Sequence, residues 1–532
     1  MTTTGKKILL IPAAGLGSRV SSISGYHKAL LPINNRPVIS HVINQFKNIS
    51  KVIIAVHEDE ELLPNVLKML YPGDLIEIIR IRKRGDNGGS LGNTLYEMLK
   101  HVNGPFYFNP CDSFTSDEIQ DCYENVIYAS SKNNLINVNQ YRSVHRNSLN
   151  EIEVHEKNMN DSCEIDHIYT GTMYVHYWNK YIEDFNINFN NAIKCKDNLE
   201  RGEIYGYDFK NTKFKILKNW HDCGNLIEYQ NTIESFQKNI ANEFVPRILP
   251  KHDEGIFFVD GEVIKFSVDK EFIRKRVERS KILNGWVPEI LAYNDFSYKY
   301  ALVNGRIISD IVDLELLERF LNNMKVFWGA DKILREKKYD YTDFYKTKTI
   351  NRVNLFIKNK EHIPKYINSV NVKDWESLLA KAFDVVLEGE IIGNFHGDLH
   401  FENIIYDEKI DRFTLLDWRQ EFQGSIQAGD IYYDLSKILH GIIVPHSSVL
   451  NELYSITHID ANGESIEIKI ERPEIYDDLE EYFMRWCSLN NYNIRKIKLL
   501  TAIIFINIAP LHHIPYNRFL FYLGLLQLKQ HS

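Results

Sequence analysis

The sequence predicts an α/β chain in two parts, and three observations predict it. From residue 7 to residue 109, short β-type runs alternate with helical stripes. From residue 252 a hairpin signal, a charged helix and a long helical region follow. Between them, 240–251 carries Pro246 and Pro250 and no Gly/Ser-rich tether. The expected architecture is a mixed sheet flanked by helices over 1–240, then a two-lobed α+β domain, with its small lobe at 241–304 and its large lobe at 305–532.

The first part is read in order. Residues 7–11 form a short apolar strand that breaks into Pro12-Ala13-Ala14-Gly15-Leu16-Gly17-Ser18-Arg19. Small residues after a strand let backbone N–H groups approach an anion. Arg19 can take a phosphate with two parallel bonds. No G-K-[ST] follows, so this is not a P-loop. Lys28 comes next, in His27-Lys28-Ala29-Leu30-Leu31-Pro32-Ile33. A stripe of Val38, Ile39, Val42, Ile43 and Phe46 marks a helix; 51–56 and 76–81 are strands with a helix over 60–70 between them. This alternation argues for mostly parallel strands, with ligands beyond their carboxyl ends. The loop 85–91, GDNGGSL, includes Gly89 and Ser90 and enters a helix over 92–99. The strand 105–109 ends in Pro110-Cys111-Asp112, a carboxylate on the ligand edge where a metal would sit. After a strand at 168–175, Trp220-His221-Asp222-Cys223-Gly224 places a second Asp before a glycine and a helix.

These motifs, taken together over roughly the first 235 residues, resemble the sugar-phosphate and phosphocholine nucleotidyltransferases. The resemblance implies a GT-A-like fold that transfers a nucleotide from an NTP to a phosphate monoester, releasing pyrophosphate. It implies that Ala13, Ala14, Gly15, Gly17, Ser18 and Arg19 hold the triphosphate with Lys28. Asp112 and Asp222 would bind Mg²⁺, and Gly89 and Ser90 would lie by the base. His27 and Cys111 stand where the family has Pro and Gly, and Asn225 where Thr is common. The parts suit the chemistry. An acceptor phosphate with a second pKa of about 6 is already ionised, so the task is to neutralise two anions and align them.

In the second part, HDEGIFFVDGEVIKF at 252–266 is a strand, an Asp260-Gly261 turn and a strand bearing Lys265. A charged helix covers 270–283, where Glu278, or alternatively Glu271, would pair with Lys265. Residues 298–304 read as a strand and 313–393 as mostly helical. The core of this part is NFHGDLHFENII at 394–405, with the pattern His396, Asp398, Asn403. Phosphoryl transfer needs a carboxylate to orient the attacking hydroxyl and an amide oxygen five residues on for a metal. An apolar run ending in Asp417, a second metal ligand, completes the set. With His400 in HGDLH and the GDIYYDL tail at 429–435, this stretch resembles the aminoglycoside phosphotransferase and choline kinase superfamily, a protein-kinase-like fold. The resemblance implies Asp398 as the catalytic carboxylate, Asn403 and Asp417 on Mg²⁺, and Lys265 with its Glu on ATP.

Composition bounds the rest. Net charge is −8, which gives no broad basic surface for nucleic acid. Six scattered cysteines lack a C-x-x-C pair, as in a reducing cytoplasm. The N-terminus has no apolar signal core, and no apolar run reaches a membrane span, so a cytoplasmic chain without membrane insertion is expected. Its partners would be small-molecule substrates, with a homo-oligomer left open. One half makes phosphate monoesters from ATP and the other consumes them. The joint reading is a fusion that activates a small alcohol for cell-surface polysaccharide or lipid decoration. The lead is choline or ethanolamine with CTP; the alternative is a sugar or polyol with CTP, UTP or GTP.

Overall fold

The computed structural model describes residues 7–15, 24–82, 90–131, 140–146, 152–155, 167–195, 199–209, 212–239, 251–329, 340–359 and 361–532. The chain divides into two compact units. One comprises Met1–Ile273 with Leu291–Tyr300, the other Arg274–Ile290 with Ala301–Ser532.

The first unit is built on a nine-stranded mixed sheet. Its strands are β1 (Lys7–Ala13), β2 (Ile49–His57), β3 (Ile76–Ile81), β4 (Phe106–Phe108), β5 (Asn125–Ser131), β6 (Ser143–Arg146), β7 (Ile152–His155), β8 (His167–Val175) and β9 (Thr212–Leu217). The main path runs β7-β6-β8-β4-β1-β2-β3, with β5 pairing β8 and β9. β1, β2, β3 and β4 are parallel, as the alternation of strands and helices predicts. β8 runs antiparallel to β4 and makes the sheet mixed. β1 is buried on both faces, hence its unbroken apolar run. β8 carries a register break between Tyr169 and Met173, where Gly171 has φ +78°. A Cβ there would lie 2.6 Å from Pro110 Cγ, so only glycine lets the turn before Asp112 pack this closely.

The hairpin at 252–266 forms as expected, Glu254–Val259 against Glu262–Ser267, turning through Asp260 and Gly261 at positive φ. Its place differs from the sequence-based boundary at 240. Phe257, Ile264 and Phe266, with Phe296, join the apolar core of the first unit. The Gly25 N–H donates to the His252 carbonyl (2.8 Å), and the Phe258 N–H to the Asn35 carbonyl (2.9 Å). Apolar packing, not chain order, sets where the unit ends.

The second unit holds the helices Leu314–Trp328, Lys348–Lys358, Trp375–Val386, Ile431–Ile443, Ile475–Leu489, Ile494–Ile508 and Tyr516–His531. A small antiparallel sheet, Arg306–Ile307, Ile404–Asp407 and Arg412–Leu415, carries the end of the 394–405 stretch. The described part of 313–393 is mostly helical, as expected, with one short strand pair, Tyr366–Ile367 and Val370–Asn371; the C-terminal stretch adds to its helices the hairpin Tyr454–His458 with Ser465–Ile470. The alternation in Ser465–Ile470, SIEIKI, has a period of two and overrides the helical neighbours. The apolar run near 499–509 is a buried helix, Ile494–Ile508. Among the described residues no helix is long and apolar enough to cross a membrane.

Candidate active sites

At the carboxyl end of β1, Ala13 and Ala14 are buried and Gly15 follows. His27 fastens this edge to Lys28. Its Nε2–H donates to the Ala13 carbonyl (3.0 Å), and its Nδ1 accepts from the Ala29 N–H (3.1 Å), capping the turn Lys28–Leu30. Burial lowers the His27 pKa, in keeping with the neutral ring those two bonds require.

Lys28 Nζ lies 2.5 Å from Asp112 Oδ2. Burial opposes both charges, yet each partner overrides it, raising the lysine and lowering the aspartate. The short strand Trp220–Asp222 pairs antiparallel with Ser113–Thr115, setting Asp222 opposite Ser113 and beside Asp112. The Cys223 N–H donates to the Asp112 carbonyl (2.7 Å). Burial, then the Asp112 charge, push the Asp222 carboxyl up to about 6. Its Oδ1 accepts from the Gly224 N–H (2.9 Å) and its Oδ2 from the Tyr141 hydroxyl. A Cβ on Gly224 would lie 2.9 Å from Asp112 Oδ2 and 3.1 Å from Asp222 Oδ1. Glycine therefore keeps the space beside the two carboxylates open. An all-oxygen pair around an open gap fits Mg²⁺, which takes one or two carboxylates and fills its shell with water and phosphate. Among the described residues no three His, Cys, Asp or Glu side chains gather to hold a metal, so the protein alone closes no cage.

Of the other residues singled out here, Gly17, Ser18, Arg19 and Gly89 lie outside the described residues. Ser90 Oγ accepts from the Asn93 N–H (3.4 Å) and caps the helix Leu91–Leu99. Asn225 Oδ1 accepts from the Glu228 N–H (3.0 Å), the same capping service a threonine gives at a helix start. Sequence reasoning missed Tyr141, which meets Asp222 from 81 residues away and has no local signature.

In the second unit, His396 is fully buried and holds the loop rather than facing substrate. Its N–H and that of Gly397 donate to the two Asp434 oxygens (2.7 Å each). Its Nε2–H donates to the Leu416 carbonyl (2.8 Å), and burial pushes its pKa down to about 3. Asp430 caps the helix Ile431–Ile443 through the Tyr432 N–H (3.1 Å).

Asp398 is surrounded by cations. Lys437 Nζ lies 2.8 Å from Oδ1 and His400 Nε2 3.6 Å from Oδ2. Burial would raise this carboxyl, but Lys437 and then His400 hold it well below the usual carboxylate range. His400 Nδ1 lies 2.7 Å from Glu402 Oε2. Burial would lower this imidazole, but Asp398 and Glu402 push it up to about 9, so it is cationic at neutral pH. An aspartate so acidic is a weak base but a permanent acceptor, suited to orienting a hydroxyl.

Asn403 Nδ2 donates to the Asp398 carbonyl (2.9 Å), and the Leu416 N–H donates to the Asn403 carbonyl (2.7 Å). That bond makes Asn403 and Asp417 neighbours, an amide and a carboxylate that fit a magnesium site in donor type. Asp417 has a left-handed backbone, φ 56°, and its Oδ1 lies 2.5 Å from Arg276 Nη1. Arg279, fully buried, donates to the carbonyls of Phe395 (2.5 Å), Ile426 (3.0 Å) and Arg419. Neither arginine was singled out from the sequence, nor was Lys437, although it falls one turn after Asp434 on the same helix. Glu278 ion-pairs with Arg274 one turn earlier on its own helix, at 2.5 Å. Lys265 lies half-buried on the hairpin strand opposite Ile256, in the first unit.

The comparisons with known proteins bear on the N-terminal part. The MobA-like NTP transferase domain matches residues 9–131, which include Lys28 and Asp112. No curated protein sequence matches the chain. Among solved structures, the chain is similar to the CTP:phosphocholine cytidylyltransferase from Streptococcus pneumoniae at 16% identity and a TM-score of 0.35, covering 43% of this chain and 99% of that one. It is similar to the inositol-1-phosphate CTP transferase from T. maritima at 13% identity and a TM-score of 0.35, covering 44% and 98%. It is also similar to a UTP-bound UGPase from Acinetobacter baumannii at 15% identity and a TM-score of 0.34, covering 44% and 95%. What the N-terminal part carries is a match to the MobA-like NTP transferase domain over residues 9–131.

Proposed function

We propose that the chain is a two-site transferase. The N-terminal site moves a nucleotide from an NTP to a phosphate monoester. The C-terminal site makes such a monoester from ATP and a small hydroxylated molecule. The observation that carries the reading is the Lys28, Asp112 and Asp222 arrangement, two members of which fall within the matched transferase domain.

At the first site, the backbone after Ala13 and the loop through Arg19 would cradle the triphosphate, with Gly89 and Ser90 beside the base. An oxygen of the acceptor phosphate attacks the α-phosphorus. A new P–O bond forms, the α–β bridge breaks, and pyrophosphate leaves. Lys28 exchanges Asp112 for a phosphate oxygen as charge develops there. Mg²⁺, when bound by Asp112 and Asp222, supplies charge neutralisation.

At the second site, Asp398 would orient the acceptor hydroxyl. Its oxygen attacks the γ-phosphorus of ATP, the β–γ bridge breaks, ADP leaves, and the hydroxyl proton passes to solvent. Asn403 and Asp417 would hold Mg²⁺. Choline or ethanolamine with CTP leads on the sequence resemblance alone, and a sugar or polyol with CTP, UTP or GTP is the alternative. The product would feed surface polysaccharide or lipid decoration.

Mass spectrometry of the full chain with Mg²⁺, ATP, each NTP and a panel of alcohols tests this. A nucleoside-diphosphate-linked product that needs both ATP and one further NTP is expected. Transfer to a pre-phosphorylated acceptor without any ATP-dependent phosphorylation would leave the first site and remove the second.

A further inference from the structure

Beside Asp398 the second unit gathers more positive charge than phosphoryl transfer from ATP requires of it. Lys348 and Arg352 lie on the helix Lys348–Lys358, Arg419 follows Asp417 by two residues, and Lys437 holds Asp398. Lys348 and Arg419 both stand over Phe344, Nζ at 5.0 Å and Cζ at 4.6 Å from the ring centroid. Arg352 donates to the Asn507 carbonyl (3.2 Å) and to its side-chain oxygen. The cleft alongside is lined by Phe344, Tyr345, Lys348, Thr349, Tyr433 and Asn507, with aliphatic residues and no carboxylate. Arg419 Nε is buried with no hydrogen-bond partner, and among the described residues neither Lys348 nor Arg419 pairs with a carboxylate. Burial, then the charges of Arg419, Arg352 and Lys437, push the Lys348 ammonium down to about 7, with Asp398 the carboxylate that pulls the other way. Half-buried like charges left uncompensated oppose folding, and their usual reason is a ligand of the opposite sign.

We propose that the molecule accepting the phosphoryl group at Asp398 carries an anionic group, a phosphate or a carboxylate, beside its hydroxyl, and that Lys348, Arg352 and Arg419 hold that group. This deepens the proposed function and rests on its reading of Asp398 as the phosphoryl-transfer site. The step is unchanged: the acceptor oxygen bonds the γ-phosphorus, ADP leaves, and the proton goes to solvent. A quaternary ammonium acceptor, the lead drawn from the sequence resemblance, fits poorly here, which moves the weight to the sugar or polyol alternative in an anionic form. It seeks open aromatic faces or unpaired carboxylates. Here the face of Phe344 carries two cations, while Lys437 and His400 already sit on Asp398 and Glu402.

The test is ADP release by the full chain, with ATP and Mg²⁺, on matched acceptors: glycerol against glycerate and sn-glycerol 3-phosphate, glucose against gluconate and glucose 6-phosphate, and choline. One charge-assisted contact is worth about tenfold or more in kcat/KM, so an anionic member should exceed its neutral twin by at least that factor. Lys348→Met and Arg352→Met should each raise the acceptor KM about tenfold and leave the KM for ATP unchanged. Preference for choline or for the neutral twin overturns the proposal. A rise in the KM for ATP alone also overturns it, by assigning the cations to the nucleotide. Calorimetry without ATP separates the two readings. If nothing in the panel is phosphorylated but sn-glycerol 3-phosphate or glycerate binds and Lys348→Met abolishes that binding, the anion site stands and the kinase reading falls. If no anion binds the unaltered chain, the anion site falls.

Discussion

The two sites set a lysine against an aspartate in opposite electrical surroundings. At Lys28 and Asp112 a second carboxylate, Asp222, crowds the pair and is pushed up to about 6. At Lys437 and Asp398 the neighbours are cations, and the aspartate is held well below its usual range. Under the proposed reading, the first pair draws a cation to its two carboxylates, and the second stands beside cations that would take an anion. The same pair of residue types thus sits in two electrical settings, and the neighbouring residue sets the sign of each.

The largest effects should come from removing one aspartate at a time. Asp112→Ala should cut nucleotidyl transfer on the order of a thousandfold and spare ATP-dependent phosphorylation. Asp398→Asn should do the reverse, by a similar factor. Loss of both activities from either change in a folded protein would end the contrast between the sites. Next, Lys437→Met should slow phosphoryl transfer by about a hundredfold and move the acidic limb of its pH profile upward, because Asp398 loses its main counter-charge. An unmoved limb would show that Asp398 does not titrate in that profile.

Smaller effects concern stability. The Asp222 pKa, raised to about 6 from 3.8, means its ionised form opposes folding at neutral pH, and that cost disappears as pH falls through 6 toward 3.8. Asp222→Asn should therefore raise Tm at neutral pH and not below 3.8, and Mg²⁺ should raise the wild-type Tm more at neutral pH than below 6. His400 behaves in the opposite sense. Its pKa is raised from 6.5 to about 9, so its stabilisation is full below 6.5 and lost as pH rises through 9. The Tm gap between wild type and His400→Gln should close over that window. The smallest change is Asn225→Ala, which removes a helix cap worth about 1 kcal/mol. Thermal unfolding would show it as a modest drop in Tm with transfer activity intact.

Much of the N-terminal site was legible because its parts are local signals. A strand that breaks into small residues, a lysine before an apolar run, and aspartates at strand ends each announce themselves within a few positions. β1, β2 and β4 follow from their apolar runs, as parallel strands buried on both faces require, while β3, at the edge of the sheet, is only partly buried. What could not be read was partnership. Tyr141 reaches Asp222, and Arg276 reaches Asp417 across 141 residues, and nothing in either neighbourhood foretells the contact. Glu278 shows the converse. Its i,i+4 spacing from Arg274 announces the ion pair the two make along one helix. His27 stands where the family has proline, yet its two ring nitrogens join the strand end to the lysine turn.

The hairpin at 254–267 also limits how the protein can be dissected. Phe257, Ile264, Phe266 and Phe296 are interior side chains of the first unit. Scissors at residue 240 would withdraw all four, at about 2 kcal/mol each, and leave a greasy scar where they had packed. A cut at residue 240 is therefore a poor way to separate the two proposed activities. A fragment meant to carry the transferase alone must run past residue 300, and silencing one activity within the whole chain calls for a point substitution.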